Sequence, residues 1–168
     1  MPSYVEQLAA DKERIRAVVT KEKAVLHLDK ITKPSKIEEL FNFDFSHIDQ
    51  LADNELERYV GCLSQHLIYA NKYVNQLRIV VSMTKKFLNN VLDIEALTED
   101  GKTAKERETK ARMRVADIAI IEREALEEET RLAVYDNTIE QLTQHLQTLK
   151  KVYDARIKEK SSTNLGNN

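Results

Sequence analysis

A basic cluster at positions 102–114 is the part of this chain best suited to bind a ligand. Both the residue types and their spacing favour this role. Six basic side chains stand there against two acidic ones, which gives a local net charge of +4. The basic members are Lys102, Lys105, Arg107, Lys110, Arg112 and Arg114. Because Arg107, Lys110 and Arg114 follow one another at helical intervals, they share one face of a helix. Such a face suits a nucleic-acid backbone, since Lys and Arg contact phosphates whatever the base sequence.

The same cluster fits a second interpretation that needs no ligand. Glu106 and Lys110 stand four residues apart, as do Glu108 and Arg112. Pairs at this spacing stabilise an exposed helix start. From the residues alone, both interpretations stay open.

Residue types that carry catalysis or bind metals are present, but they are not arranged for either purpose. The histidines are His27, His47, His66 and His145. No two of them have the spacing that places two ligands on one helix face. Cys62 is the only cysteine, so neither an intrachain disulfide nor a cysteine-rich zinc site can form. Gly101-Lys102-Thr103 lacks the earlier glycine of a phosphate-binding loop, since position 96 is alanine. We therefore expect no metal site, no cofactor and no enzymatic activity.

Composition favours long helices over sheets. The 168 residues include three Gly and two Pro, whereas sheet folds need turn residues every dozen or so positions. Charged residues make up 32% and aromatic residues 6%, which is typical of amphipathic helices. The net charge of −2 excludes a globally basic nucleic-acid binder but not a local basic patch. No stretch reaches the ~20 apolar residues of a membrane span, and the first residues do not resemble a signal peptide, so we expect a cytoplasmic protein with no membrane contact.

A heptad pattern identifies the first long helix. Its positions recur at alternating spacings of three and four residues. They are Val60, Leu63, Leu67, Ala70, Val74, Leu77, Val81, Thr84, Leu88 and Val91. Thr84 is the one polar member. Flanking apolar residues widen the stripe, which implies burial against more than one partner helix.

A second heptad lies in the helix that begins with the basic cluster. Its members are Ile118, Ile121, Ala125, Glu128, Leu132, Tyr135, Ile139, Leu142, Leu146, Leu149 and Tyr153. Glu128 is the clear violation. It predicts either a device that fixes the register or a partner for a base on another helix. No residue from Ala104 to Lys160 interrupts this helix in the sequence.

These patterns predict an all-α fold, in which a long, coiled-coil-like antiparallel helical hairpin has an N-terminal helix packed alongside. The predicted segments are an N-terminal helix in 1–34, a connector with short helical turns in 35–53, the hairpin in 54–160 and a disordered tail in 161–168. The two arms of the hairpin are 54–97 and 104–160. We expect the aromatic and apolar connector to pack against the long helices.

A lone hairpin leaves much of its wide apolar stripes exposed, so we also expect a homo-oligomer. The predicted interface residues are Leu67, Val74, Leu77, Val81, Leu88, Leu132, Tyr135, Ile139, Leu142, Leu146 and Leu149. The sequence does not set the number of copies.

The order of segments and two stretches of sequence resemble a group of small helical proteins encoded by tailed bacteriophages. The stretches are FDFSHIDQLADNELERYVGCLSQHLIYANKYVNQLR and GKTAKERETKAR. Part of this group is similar to the UvsY-type recombination mediators of T-even phages. The resemblance covers about residues 43–160, and its sharp motif is Gly101-Lys102-Thr103 followed by Lys105-Glu106-Arg107-Glu108.

The resemblance implies a phage protein of the host-cell cytoplasm that binds single-stranded DNA and the single-strand-binding protein. Such a mediator helps to load a recombinase and works as a ring-like oligomer. The resemblance also implies that Thr103 faces the DNA together with the basic positions from Lys102 to Arg114.

Three classes of function follow from these observations. The first is a recombination mediator or accessory single-stranded DNA-binding protein. The second is a helical adaptor or inhibitor that binds a host or phage protein through an apolar helix face. The third is a coiled-coil component of a virion or scaffold.

Overall fold

Helices make up most of the part of the chain that the structure describes. The computed structural model describes residues 2–35 and 37–165, apart from the side chains at positions 29 and 163–165. The α-helices are α1 (Tyr4–Val25), α2 (Ile37–Phe41), α3 (Asp53–Ala96), α4 (Ala104–Arg114) and α5 (Ala116–Leu165). Short 3-10 helices lie at Leu28–Lys30 and Phe45–Gln50. No strand occurs in these described ranges, and α3 and α5 pack against each other with α1 alongside, so the predicted all-α hairpin is confirmed.

A capping box starts α1. The Ser3 hydroxyl accepts the backbone N–H of Glu6 at 3.2 Å, and the Glu6 carboxylate accepts the N–H of Ser3 at 2.8 Å. The helix ends at Val25, whereas the predicted N-terminal segment ran on to residue 34. Leu26 caps the helix, and the next residue, His27, takes a positive φ of 54° that a right-handed helix cannot contain.

The chain forms two compact units. Unit 1 consists of Met1–Asp29 and Val74–Tyr135, and unit 2 consists of Lys30–Tyr73 and Asp136–Asn168. In unit 2, Leu56 and Leu63 of α3 form one buried cluster with Leu142 and Leu149 of α5. The early turns of α3 thus meet the late turns of α5, as an antiparallel pair requires.

The connector covers this cluster in unit 2. Ile37 and Leu40 of α2 and Ile48 of the second 3-10 helix are buried in it. Phe43 and Phe45 pack against it and are partly exposed. The connector therefore contributes its own apolar residues to the core.

The second arm of the hairpin is broken, which corrects the predicted continuous helix over 104–160. Val115 has φ −103° and ψ 99°, outside the helical region, and it separates α4 from α5. The break turns the fully buried Ala111 of α4 toward a cluster with Val91, Leu92 and Ile118. The helix is interrupted at Val115, and the small side chain of Ala111 packs against this buried cluster.

The C-terminal end of α5 also differs from the predicted disordered tail. The helix continues to Leu165, and the hydroxyl of Ser161 donates to the carbonyl of Ile157 at 2.8 Å. The last part of the predicted tail, 166–168, lies outside the described residues.

Candidate functional site

The basic cluster is presented by α4. The Thr103 hydroxyl accepts the N–H of Glu106 at 3.1 Å and caps the helix, while the Glu106 carboxylate accepts the N–H of Lys102 at 3.0 Å. Ala111 faces the core, and most of the basic side chains lie at the surface. The break at Val115 thus gives the cluster a helix of its own.

Carboxylates of α3, of the loop that follows it and of α5 pair with two of the arginines. Arg114 contacts Glu95 at 2.6 Å and also binds Glu99. Arg112 contacts Glu122 of α5 at 2.7 Å. These hydrogen bonds raise the pKa of both guanidinium groups, Glu99 having the largest effect on Arg114 and Glu122 on Arg112. The two arginines therefore tie α4 to its neighbours.

Two further members of the cluster bind carbonyl oxygens in the loop before α4. The Lys110 ammonium donates to the carbonyl of Asp100 at 2.5 Å, and Arg107 donates to the carbonyl of Gly101 at 3.4 Å. The i,i+4 pairs that the sequence offered as an alternative are also present. Their N–O distances are 3.9 Å for Lys110–Glu106 and 3.5 Å for Arg112–Glu108.

Lys102 and Lys105 differ from the rest of the cluster. Both side chains are exposed, and neither ammonium has a hydrogen bond or ion pair with the residues that the structure describes. Glu95, Glu99 and Glu122, which lie outside the cluster, contact Arg112 and Arg114 and offset three of its four net positive charges. Phosphate contact by this cluster stays a prediction, and Lys102 and Lys105 are the two members open to it.

Glu128, the residue that interrupts the second heptad, lies in a buried polar cluster of unit 1. Lys12 of α1 contacts the Glu128 carboxylate at 2.6 Å and that of Glu124 at 2.5 Å. The hydroxyl of Thr84, the one polar member of the first heptad, donates to Glu128 at 2.8 Å. Lys12, Thr84 and Glu128 are all buried. We call these residues, with Glu124, the Glu128 cluster. Of the two predicted roles for Glu128, pairing with a base from another helix is present.

Unit 2 holds a row of four rings that the sequence analysis did not identify. We call Phe41, His66, Tyr69 and Tyr73 the aromatic row. Its ring centroids are separated by 5.3 Å from Phe41 to His66, 6.1 Å from His66 to Tyr69 and 5.1 Å from Tyr69 to Tyr73. Phe41 is 46% exposed and Tyr73 is 49% exposed. The signal in the sequence was the spacing of three and four residues from His66 to Tyr69 to Tyr73, which places them on one helix face.

Cations accompany the aromatic row. The Lys72 ammonium lies 4.9 Å from the ring centroid of Tyr69 and 5.3 Å from that of Tyr73. It also donates to the carbonyl of Ile31 at 2.7 Å. Lys33 binds Glu38 on the first turn of α2. The row therefore combines exposed ring surface with positive charge.

His66 lies inside the row with its ring largely covered. Burial lowers the pKa of His66, with Lys33 acting in the same direction, so the imidazole is neutral at pH 7. The neutral imidazole of His66 therefore offers an uncharged ring face for stacking. Its Nδ1 is buried and lacks a hydrogen-bond partner among the described residues.

The remaining candidate residues are those that could hold a metal ion or act as a nucleophile. In residues 2–35 and 37–165, His, Cys, Asp and Glu side chains form no group of three that would hold a metal ion. The half-buried Cys62 is a free thiol, and burial raises its pKa. A protonated thiol is a poor nucleophile.

Ten of the eleven residues of the predicted oligomer interface are buried or half-buried within the single chain, and their part in an oligomer stays a prediction. The buried members are Leu67, Val74, Val81, Leu142 and Leu149. The half-buried members are Leu77, Leu88, Leu132, Ile139 and Leu146. Tyr135 alone of the predicted set is exposed, at 43%. The stripes are covered because the chain packs α1, α2 and the connector onto its own long helices.

Unit 1 also has a shallow groove between α1 and α3. Its volume is about 540 Å³, and Ile15, Ile79, Met83 and Phe87 supply its apolar lining. Lys86 also lines it. The groove is a surface on which a helix of another protein could rest.

Comparison with known proteins gives no match. No family model matches the chain, and no curated protein or solved structure matches it. No helix in the described part of the chain is long and apolar enough to cross a membrane. The geometry above is therefore the basis for a proposal about function.

Proposed function

We propose that the protein binds single-stranded nucleic acid as an accessory protein of the recombination-mediator type. The observation that carries the proposal is the aromatic row of unit 2, with Lys72 over two of its rings. Proteins that bind single strands without regard to sequence combine aromatic rings, on which bases stack, with cations that follow the backbone. The row provides both.

The most exposed rings set where bases stack. Phe41 and Tyr73 lie at the two ends of the row and expose about half of their surface. Each is supported by an inner ring, since Phe41 meets His66 edge to face and Tyr73 meets Tyr69 in the same way. Supported rings lose little conformational freedom when a base stacks on them. A duplex keeps its bases inside the helix, so the row selects single strands.

The basic cluster of α4 has a smaller part in this proposal. Arg112 and Arg114 are engaged with carboxylates, and Arg107 and Lys110 with backbone carbonyls. Lys102 and Lys105 are therefore the members that supply phosphate contacts. The resemblance to UvsY-type mediators extends the proposal to a single-strand-binding protein and a recombinase as partners, and to a homo-oligomer as the working form.

The test is binding of a fluorescently labelled oligo-dT, followed by anisotropy at several salt concentrations. Stacking contributes about 1–3 kcal/mol per base, so Phe41→Ala or Tyr73→Ala should weaken binding roughly tenfold. Ile157→Ala is the control, because Ile157 is 46% exposed, as Phe41 is, but lies outside the row and outside the predicted oligomer interface. Affinity should fall with salt for every variant, through release of counterions.

Two results would change this assignment. If Tyr73→Ala and Phe41→Ala bind like the parent while Lys102→Gln with Lys105→Gln loses affinity, the strand is held by α4 and not by the row. If the parent itself binds no oligo-dT at low salt, the protein is not a single-strand binder.

The second candidate function is the helical adaptor, and the groove of unit 1 favours it. Ile15, Ile79, Met83 and Phe87 form an apolar strip of the kind that receives one face of an amphipathic helix. Failure of the parent to bind oligo-dT would make this groove the leading site.

A further inference from the structure

Helix α1 is attached to unit 1 by few buried side chains. Of its 22 residues, Leu8 and Lys12 are buried, whereas Val18, Val25 and the following Leu26 are exposed. Little apolar burial means that this helix opens at a lower free energy than the long helices do. The contacts that do hold it are polar and specific.

Those polar contacts occur at both ends and in the middle of α1. Asp117 of α5 accepts the N–H of Tyr4 at 2.8 Å and so caps the first turn. Lys12 enters the Glu128 cluster. Near the C-terminal end, the ammonium of Lys23 donates to Gln76 of α3 at 2.7 Å. We call the surface of α3 and α5 that makes these contacts the α1 seat. Because these three contacts are spaced along α1, the α1 seat selects a helix with this sequence and sets its direction and register.

The covalent connection of α1 does not run through unit 1. The chain leaves unit 1 after Asp29, enters unit 2 and returns to unit 1 at Val74. His27 lies two residues before the end of this part of unit 1, and its positive φ is unfavourable for a residue with a side chain. From Ile31 onward the segment is held, because Lys72 binds the carbonyl of Ile31. A short stretch around His27 can therefore act as a hinge.

We propose that α1 is an exchangeable helix and that its seat accepts α1 from a second copy of this chain, so that two copies trade α1 and form a reciprocal dimer. Exchange conserves every contact of the α1 seat, because the incoming helix has the same Tyr4, Lys12 and Lys23. It also lets His27 leave its unfavourable conformation. Reciprocal exchange between two identical chains closes on itself and gives a dimer. The proposal is independent of nucleic-acid binding.

Charge reversal at the buried pair tests the exchange. In Lys12→Glu the chain's own α1 meets Glu124 and Glu128, and in Glu128→Lys it meets a second lysine while Glu124 remains as a partner. Each variant alone should therefore weaken α1 docking, Lys12→Glu the more strongly. In an equimolar mixture, exchange restores an opposite-charge pair at both seats. We expect a heterodimer by light scattering and a thermal midpoint above that of either variant alone. The control is the double variant in one chain, which restores the pair without a partner.

Two outcomes of this experiment are decisive. A mixture that melts as the sum of its two variants and stays monomeric, while the double variant regains the parental midpoint, would overturn the proposal. A heterodimer that forms only in the mixture supports it.

A peptide experiment decides the question if the double variant does not regain stability. A labelled peptide of residues 2–26 is titrated onto the full-length Lys12→Glu chain, whose seat is intact. The parental peptide and a Lys21→Glu peptide should bind saturably, whereas a Lys12→Glu peptide of the same charge should bind at least tenfold more weakly. Lys21 is the matched control because it is exposed on the same helix. Absence of saturable binding by the parental peptide, or equal binding by all three, would refute the exchange.

Discussion

The Glu128 cluster and the basic cluster of α4 lie in the same unit and use the same chemistry in different surroundings. In the Glu128 cluster, the side chain of Lys12 is 5% exposed and that of Glu128 is 12% exposed. In the basic cluster, Arg112 is 40% exposed and its partner Glu122 is 37% exposed. The N–O distances of the two pairs, 2.6 Å and 2.7 Å, are nearly equal. Distance alone therefore does not tell which pair matters for the fold.

Solvent makes the difference between the two clusters. An exposed partner that loses its counterpart is solvated by water and screened by salt, so exposed pairs contribute little. A buried charge that loses its counterpart has no such replacement. The buried pair specifies how α1 sits, whereas the exposed pairs adjust the stability of a helix that Ala111 and Val115 already anchor.

The largest expected effect comes from removing the buried cation. Lys12→Met leaves the Glu128 carboxylate buried with Thr84 as its remaining nearby donor, and such a change lowers the free energy of unfolding by about 3–5 kcal/mol. Urea denaturation followed by circular dichroism measures it. Lys21→Met on the exposed side of α1 is the control and should change stability by less than about 0.5 kcal/mol. Equal effects of the two substitutions would mean that the buried pair is not what holds α1.

Replacing the polar members of the buried cluster together sharpens the same prediction. The variant that combines Lys12→Met, Thr84→Val and Glu128→Leu should regain most of the lost stability, since apolar side chains of similar volume often match or exceed a buried ion pair. If it stays as unstable as Lys12→Met alone, the loss comes from packing and not from an unpaired charge.

The sequence predicted one half of the Glu128 cluster and left out the other half. Glu128 and Thr84 interrupt apolar heptads, so each is visible as an exception. Lys12 lies in a helix rich in charge, where one buried lysine looks like its exposed neighbours. The pairing of Lys12 with Glu128 depends on how α1, α3 and α5 pack together, and the sequence pattern does not show this packing.

The break at Val115 has no signal in the sequence. Residues 111–116 contain neither glycine nor proline, and their helix propensity favours continuation. Tertiary contacts accompany the break, because Ala111 is fully buried against Val91, Leu92 and Ile118 where α4 leaves the axis of α5. The aromatic row was half visible, since His66, Tyr69 and Tyr73 share a helix face, but the position of Phe41 depends on how α2 docks.

A smaller effect on the free energy of unfolding is expected in the exposed basic cluster of α4. Arg112→Ala removes pairs with Glu122 and Glu108 that are partly solvated, so the free energy of unfolding should fall by about 1 kcal/mol or less. The difference from the parent should shrink as salt rises from 0.05 M to 1 M, because roughly a 3 Å Debye length at 1 M screens exposed charges. The Lys12→Met difference should persist over the same salt range. If the stability lost in Arg112→Ala does not change with salt, the ion pairs of Arg112 behave like the buried pairs of the Glu128 cluster.

The smallest expected effect concerns Glu95, which stands between the two extremes. Its side chain is 14% exposed, and it accepts a hydrogen bond from the Tyr4 hydroxyl while also contacting Arg114. The bond from Tyr4 is the largest cause that lowers the pKa of Glu95, with Arg114 acting in the same direction. The same bond is the largest cause that raises the pKa of Tyr4. One hydrogen bond thus links stability to pH at both the acid and the alkaline side.

The signs follow from the direction of each shift. Because folding lowers the pKa of Glu95, its contribution is complete above the unfolded value of about 4.3 and is lost as the pH falls through the lower folded value. Because folding raises the pKa of Tyr4, its contribution is complete below about 10 and is lost as the pH rises through the higher folded value. Tyr4→Phe removes the bond but leaves Arg114 on Glu95. It should therefore cost about 0.5 kcal/mol at pH 7 and reduce the loss of stability at both pH extremes. Urea unfolding of parent and variant at pH 3, 7 and 11 measures this, and parallel curves for the two proteins would show that Tyr4 and Glu95 are not coupled.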